Sequence, residues 1–344
     1  MTYAVIIGRF QPFHFGHLDL VQEAYKYANH VVFVIGSHNA PRSIRNPWDS
    51  FFRQKIIENF LSDKTLGIDY SFVYINDSAY NFTDWVIDVE KKVNGLIENP
   101  NWQIFDGKKP KVYIVGHFKD DTSYYLNYFP NWELISVKNK EKMNSTDIRI
   151  ALFENKKHFY FNSSPAMYLI DEWKQTLDFT ELQEEYDFII NYKKKWEKSP
   201  YPPTFVTADS IVFCLGHVLL IKRKLNPGKN KFALPGGFIK HTETIENACI
   251  RELREETNID VGDLQLRGSI KMEHCFDHPL RDPRGRIITH GFMFDLTDKK
   301  LPSIQGGDDA KDAFWFPLSK IEENENQFFN DHAQIIKYFL NRMK

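Results

Sequence analysis

The sequence predicts two successive domains, an α/β domain built on a parallel sheet and then an α+β domain with mixed strands. Three observations carry this. The chain has 344 residues, a length that suits two domains better than one. Its first half alternates short, continuously apolar runs with amphipathic stretches, the texture of parallel strands covered on both faces. After the charged, proline-containing stretch KKKWEKSPYPPT (193–204), the pattern changes to many strands around one strong helix.

In the first half, AVIIG (4–8), HVVFVIGS (30–37), YSFVYIN (70–76), KVYIVG (111–116) and WELISV (132–137) read as strands. Helical spacing falls at 17–29, 49–62, 82–97 and 119–128. Ligands of such a sheet belong at the carboxyl ends of its strands, so the residues just after strands one, two and four matter most. From about 151 to 195 the chain reads as mostly helical. Beyond the proline stretch, SIVFCL, HVLLIKRK, SIKMEHCF, THGFMFDL and AFWFPL read as strands, with helices at 243–257 and 329–342.

Composition narrows the function classes. Lys+Arg total 44 against Asp+Glu 46, a net charge of −2, so no global positive field recruits nucleic acid. The 42% hydrophobic and 26% charged residues suit a chain that buries cores rather than one that stays disordered. Aromatic residues at 15% favour packed interiors and surfaces on which flat ligands stack. Cys214, Cys249 and Cys275 are too few and too scattered for a disulfide framework, and neither a signal peptide nor a long apolar span is evident. The expectation is a cytoplasmic protein with small-molecule partners and no membrane; a homo-oligomer is compatible with the sequence.

Strand one runs into Arg9-Phe10-Gln11-Pro12-Phe13-His14-Phe15-Gly16-His17, and a helix follows. A helix start after a strand offers unpaired N–H groups to a phosphate. His14 and His17, three apart, can face one side of a first turn. Gly16 lets a nucleotide approach the backbone, and Arg9 adds forked donors suited to phosphate. GRFQPFHFGH resembles the signature of archaeal-type nicotinamide-mononucleotide adenylyltransferases, in the HxGH nucleotidyltransferase superfamily. SIRNPW (43–48) resembles that family's segment with a phosphate-binding arginine, here Arg45. NSTDIR (144–149) resembles the superfamily's I-S-x-T-x-I-R motif at a second helix start, with Asn144 where serine is usual. Asn caps helices as well as serine does.

The resemblance implies a Rossmann-like nucleotidyltransferase domain over residues 1–180. It implies transfer of AMP from ATP to nicotinamide mononucleotide, giving NAD and pyrophosphate, with Mg²⁺ accompanying the triphosphate. It makes His14, His17 and Arg149 catalytic and sets Arg9, Phe10, Gln11, Gly16, Arg45, Ser145 and Thr146 at the ATP phosphates. Lys119 follows strand four and can reach a phosphate, though surface lysines are common. Asn81 and Trp85 resemble a position near the nicotinamide ring; a Trp packing its helix to the sheet accounts for the second equally well. Other HxGH enzymes adenylylate pantetheine phosphate or flavin mononucleotide, or use CTP, and the full GRFQPFHFGH string favours the nicotinamide acceptor.

The second constellation is GFIKHTETIENACIRELREETNI (237–259). Glu252, Glu255 and Glu256 lie at i, i+3 and i+4 of the predicted helix, so three carboxylates share a face. Such a set repels itself unless a hard cation, Mg²⁺ or Mn²⁺, sits among them. The window resembles the Nudix box, G-x5-E-x7-R-E-U-x-E-E-x-G-U, where U is aliphatic, with Asn258 in place of the last glycine; Asn tolerates the left-handed conformation that helix end needs. The resemblance implies an α+β Nudix domain over 205–344, reached through a helical, proline-containing linker at 181–204. Gly237 approaches the metal site, Glu243 and Arg251 form a bracing ion pair, and Glu252, Glu255 and Glu256 are the metal ligands, with Glu256 catalytic.

HPLRDPRGRIITHGFMF (278–294) resembles a segment of ADP-ribose pyrophosphatases and their regulator relatives, so ADP-ribose is the expected substrate, cut to AMP and ribose 5-phosphate. Asp308 and Asp309 are candidates for its general base. An ADP-ribose-sensing, DNA-binding regulator is the rival from another class. Only about 25 residues follow FWFPL, enough for one helix but not for a winged-helix module. His274, Cys275 and His278 lack a second ligand pair at zinc spacing and read as strand and loop residues.

Overall fold

The computed structural model describes residues 1–62, 67, 69–98, 110–117, 125–137, 144–156, 164–307 and 310–343. The chain divides into two compact units, Met1–Gln183 and Glu184–Lys344. Among the described residues, no helix is long and apolar enough to cross a membrane. The three cysteines are free, with only Cys275 exposed.

The first unit runs β1 (Thr2–Gly8), α1 (Phe15–Ala24), β2 (His30–Ile35), α2 (Ser50–Leu61), β3 (Asp69–Tyr74), α3 (Phe82–Ile97), β4 (Lys111–Gly116), β5 (Glu133–Ser136), α4 (Ser145–Phe153) and α5 (Met167–Trp173). Every strand expected from the apolar runs is present. All strand pairs are parallel, in the order β3-β2-β1-β4-β5. Every residue of β2 is buried, which is why HVVFVI shows no alternation. The order reverses direction between β1 and β4, so a crevice opens beyond their carboxyl ends. The apolar stripe Val89, Val93 and Ile97 of α3 packs on Val5, Val32 and Ile114 of the sheet. Of the expected helix at 119–128, residues 125–127 form a turn of 3-10 helix and 119–124 lie outside the described residues.

Helix α6 (Leu177–Lys194) contains the division between the units. The segment read as a linker therefore differs from the expectation. Residues from Glu184 onward belong to the second unit, because Tyr186 and Ile189 form a buried apolar stripe and the Glu185 carboxylate accepts from the Gly228 N–H at 3.0 Å.

The second unit follows as β6 (Thr204–Cys214), β7 (His217–Arg223), β8 (Phe232–Ala233), β9 (Gly236–Phe238), α7 (Ile245–Thr257), α8 (Asp263–Gly268), β10 (Ile270–Phe276), β11 (Arg286–Leu296), β12 (Ala310–Pro317) and α9 (His332–Leu340). Its sheet has the order β10-β11-β6-β7-β12, with β8 on β7 and β9 on β6. Only β6 and β11 pair in parallel. The short strands β8 and β9, absent from the sequence reading, have too few residues to show a period. Ala248, Cys249 and Leu253 of α7 pack on Ala208, Val212 and Phe292, fixing that helix against the sheet.

Arg53 of α2 has no solvent exposure. Its guanidinium donates to the carbonyls of Arg9 (2.6 Å), Gly36 (2.7 Å), Ser37 (3.0 Å) and Asp49 (3.1 Å). One side chain thus joins the loops after β1 and β2. Replacing Arg53 with Ala removes all four of these side-chain bonds and is expected to destabilise the first unit by roughly 3 kcal/mol or more. Chemical denaturation of the full-length protein tests this. Arg53→Lys should recover only part of the loss, since an ammonium cannot span the same carbonyls.

Candidate active sites

The loop after β1 is shaped by packing. Gly8 has no side chain because the Phe10 ring lies over it; a Cβ there would stand 2.9 Å from that ring. Phe10 takes φ 50° and is buried, stacking edge-on with His17 at 5.1 Å while Phe13 stacks on the same imidazole at 5.3 Å. His14 is the N-cap of α1, and its backbone N–H donates to Nδ1 of His17 at 3.3 Å. The two imidazole centroids are 3.9 Å apart, so both histidines do share one side of the first turn. Gly16, buried, offers its carbonyl to His117 Nε2 at 3.2 Å, while His117 Nδ1 meets the Val137 carbonyl at 2.7 Å. His117 therefore ties α1 to the ends of β4 and β5, a role the sequence reading missed although VGHFKDD begins at a strand end.

Helix α4 docks on the same loop. Asn144 caps it, its side chain accepting from the Asp147 N–H at 2.9 Å, as the cap argument expects. The Ser145 hydroxyl donates to the Pro12 carbonyl at 3.1 Å. Arg149 donates to the Gln11 carbonyl at 2.5 Å and to the exposed Thr146 hydroxyl at 3.2 Å. Gln11 itself faces elsewhere. Its amide donates to the Trp48 carbonyl at 2.8 Å and accepts from the Trp48 N–H at 3.3 Å, so it positions the loop that carries Arg45.

Arg9, Arg45 and Arg149 converge here. Burial is the main cause that lowers all three, Arg45 to about 10 and Arg149 to about 9; Arg9 lowers Arg45 further, Arg9 and Arg45 lower Arg149, and the Asp77 carboxylate opposes the shift at Arg9 and Arg45. All three stay charged near neutrality. Like charges held together in a half-buried crevice form a receptor for a polyanion.

In the second unit, Arg251 is a hub. It binds Glu243 bidentately at 2.6 and 2.9 Å, and its third nitrogen bridges Glu252 at 2.7 Å and Glu255 at 2.8 Å. This contact holds the Glu243 carboxyl down at about 2. A Cβ on Gly237 would stand 2.6 Å from the Glu252 carboxylate, so a larger residue there would push that side chain aside. Asn258 ends α7 at φ 43°, in the left-handed conformation expected of it. The three ligand candidates are not equivalent, however. Glu256 falls on the stripe of Cys249 and Leu253 that faces the core, and is 7% exposed, whereas the Glu255 side chain is 39% exposed. Glu256 accepts from the Gly236 N–H at 2.9 Å. Burial is the first cause that pushes its carboxyl up, to about 8, and that raises Glu252 too.

These groups border a cavity of about 340 Å³ that also meets Asp209, Arg223, Arg281, Arg284 and His332. Asp209, buried and raised to about 6 mainly by burial, accepts from the Thr289 hydroxyl at 2.6 Å. Arg281 pairs bidentately with Asp331 at 3.0 Å. These residues escaped the sequence reading because they meet only when β6, β11 and α9 assemble. Asp209 alone gave a local signal, as a carboxylate within an apolar strand.

Two different families match the two units. A family model described as Cytidylyltransferase-like matches residues 5–151, and one described as NUDIX domain matches residues 204–339. The nicotinamide/nicotinic acid mononucleotide adenylyltransferase of Acinetobacter baylyi is 40% identical over 156 residues, 45% of this chain and 77% of that protein. The ADP-ribose pyrophosphatase of Methanocaldococcus jannaschii is 39% identical over 135 residues, 39% of this chain and 72% of that protein. A crystal structure of a bifunctional NMN adenylyltransferase/ADP ribose pyrophosphatase from Francisella tularensis, complexed with AMP and a manganese ion, is similar across 100% of this chain and 99% of its own. The identity is 33% and the TM-score 0.90. The chain belongs to this bifunctional family.

Within its adenylyltransferase unit, Asn81 caps α3 by accepting from the Asp84 N–H at 3.4 Å. Trp85 sits among Phe82, Tyr125 and Phe129, half-buried against the core, so packing accounts for it. Lys119 lies outside the described residues, as do Asp308 and Asp309 of the Nudix unit. His274 Nδ1 pairs with the Tyr338 hydroxyl at 3.0 Å, and His278 Nδ1 accepts from the Leu280 N–H at 3.2 Å.

The Nudix carboxylates are oxygen donors of the kind a hard divalent cation takes, and burial raises Glu252 and Glu256. With Glu252 and Glu255 held by Arg251, however, no three such groups among the described residues stand close enough together to hold a metal ion. Without the cation, native Glu256 keeps its proton up to about pH 8, against an ordinary 4.5. Between those values the native state binds more protons than the unfolded one, so stability falls as pH rises through that window. Calorimetry in chelator from about pH 5 to about pH 9 should show this decline. Glu256→Gln should flatten it, and a divalent cation should restore stability at the alkaline end in the wild type only.

Proposed function

We propose that the arginine cluster of the first unit receives the triphosphate of ATP and the phosphate of nicotinamide mononucleotide. An oxygen of that phosphate attacks the α-phosphorus of ATP, the bond to the bridging oxygen breaks, and pyrophosphate leaves as NAD forms. The attacking oxygen is already anionic, so neither a base nor a covalent intermediate is required. Catalysis is positioning plus neutralisation of charge. His14 and His17 hold the phosphates at the start of α1, with the Gly16 N–H region exposing the helix end. Arg9, Arg45 and Arg149 balance the charge that builds on the leaving group. The observation that carries this reading is the convergence of these three buried arginines, two of which also feel the Asp77 carboxylate.

In the second unit ADP-ribose is hydrolysed to AMP and ribose 5-phosphate. Glu252, Glu255 and Glu256 would hold the divalent cation, Mg²⁺ with Mn²⁺ as a substitute, once Arg251 yields Glu252 and Glu255 to it. When bound, the cation stabilises charge on the diphosphate and makes water more acidic. Arg251 is the positioning residue, since it spaces the loop carboxylate Glu243 from the ligands on α7. Gly236 orients Glu256 through its N–H. Arg223 and Arg284 line the cavity and would offer positive charge to the diphosphate.

The two activities separate by mutation. His17→Ala should lower NAD formation about 100-fold or more and leave ADP-ribose hydrolysis standing. Glu256→Gln should do the reverse by a similar factor. Chromatographic assay of both products from each purified variant decides the matter. Loss of both activities in either single variant argues against two independent sites.

A further inference from the structure

The chain that enters α9 runs beside the loop that orients Glu256, and neither proposed reaction uses it. Leu234 and Pro235 lie where the chain crosses from β8, paired with β7, to β9, paired with β6. Backbone groups at such a crossing leave the ladder and need other partners once they are buried. The Pro235 carbonyl accepts from the Ser210 N–H at 2.8 Å. The Leu234 N–H donates to Nδ1 of His332 at 2.9 Å, and both residues are buried. Two residues further on, the Gly236 N–H holds the Glu256 carboxylate. Pro235 stiffens the link between them, since its ring fixes φ.

His332 is itself fixed on several sides. The Phe329 N–H donates to the Phe232 carbonyl at 2.7 Å, which lays the approach to α9 along β8. Asp331 gives both carboxylate oxygens to Arg281 at 3.0 Å, and the Phe329 ring meets the imidazole at 5.4 Å, edge-on. Burial, and then Arg281, Arg223 and Arg284, hold the imidazole well below its ordinary basicity. The ring is therefore neutral, with Nδ1 free to accept and its proton on Nε2. We infer that His332 is a positioning residue of the Nudix unit, setting Glu256 through Leu234, Pro235 and Gly236. This rests on the second activity proposed above. It gives the last helix of the chain a part in the chemistry, although that helix carries none of the box residues.

In full-length protein with Mg²⁺, His332→Leu should lower kcat for ADP-ribose about 10- to 100-fold and change KM less than about threefold. That is the pattern of a displaced carboxylate in a cavity that still binds. His332→Asn should keep kcat within about threefold of wild type, because its side-chain oxygen stands as many bonds from the backbone as Nδ1 does and accepts from the same N–H. Amide hydrogen exchange in metal-free protein provides the second readout. With β6 and β11 protected as in wild type, the Leu234 and Gly236 amides should exchange about tenfold faster or more in His332→Leu and near the wild-type rate in His332→Asn. Unchanged kcat or unchanged exchange in His332→Leu overturns the positioning role alone. So does a loss in His332→Asn as deep as in His332→Leu, or a rise in KM as large as the fall in kcat. Wild-type protein that leaves ADP-ribose intact overturns the second activity and the inference with it.

Discussion

Arg53 gives its donors to four backbone carbonyls and none to a carboxylate. That choice makes the first site workable. The carbonyls belong to the loops after β1 and β2 and to the start of α2, so one buried guanidinium holds them at a fixed spacing without neutralising anything. The Asp77 carboxylate acts on Arg9, Arg45 and Arg53 together, so it tempers the positive charge of the cluster without cancelling it. The constraint is to fix a loop while leaving its functional charge unspent.

The second unit meets the same constraint with opposite signs. Arg251 contacts Glu243, Glu252 and Glu255, offsetting the repulsion among carboxylates and bracing the loop against α7. Glu256 stays outside that grip, buried beside the Gly236 N–H. Burial first, and then the nearby Glu252 and Asp209 carboxylates, raise its carboxyl in spite of Arg223, just as burial lowers the arginines of the first unit. Each site stores unfavourable electrostatics that a ligand of the right sign relieves, a polyanion in one case and a divalent cation in the other. The nearly balanced totals of 44 basic and 46 acidic residues conceal this division.

Much of the site chemistry was legible in the chain because it is carried by contiguous strings. GRFQPFHFGH and the window 237–259 each place their functional groups within one loop and one helix, where spacing alone dictates which side chains meet. The cap at Asn144 and the left-handed Asn258 were legible for the same reason. Gln11 was not. It lies inside the first string, yet its amide is taken by the Trp48 backbone, a partner 37 residues away. Arg53, His117 and Asp209 were missed because their partners come from other elements. The stretch 181–204 was read as a linker from charge and proline content, and composition cannot reveal that Tyr186 and Ile189 have a surface to bury against.

By itself, then, the sequence determined the two fold types, the order of the strands along the chain, and the two phosphate chemistries, since all depend on local period or on closely spaced motifs. The tertiary structure decided which of the named residues act on ligand and which act on their neighbours. It graded three adjacent glutamates by burial and turned Gln11 from a phosphate contact into a brace. These outcomes follow from burial and from contacts between distant segments, and neither exists until the strands have paired and the helices have closed over them.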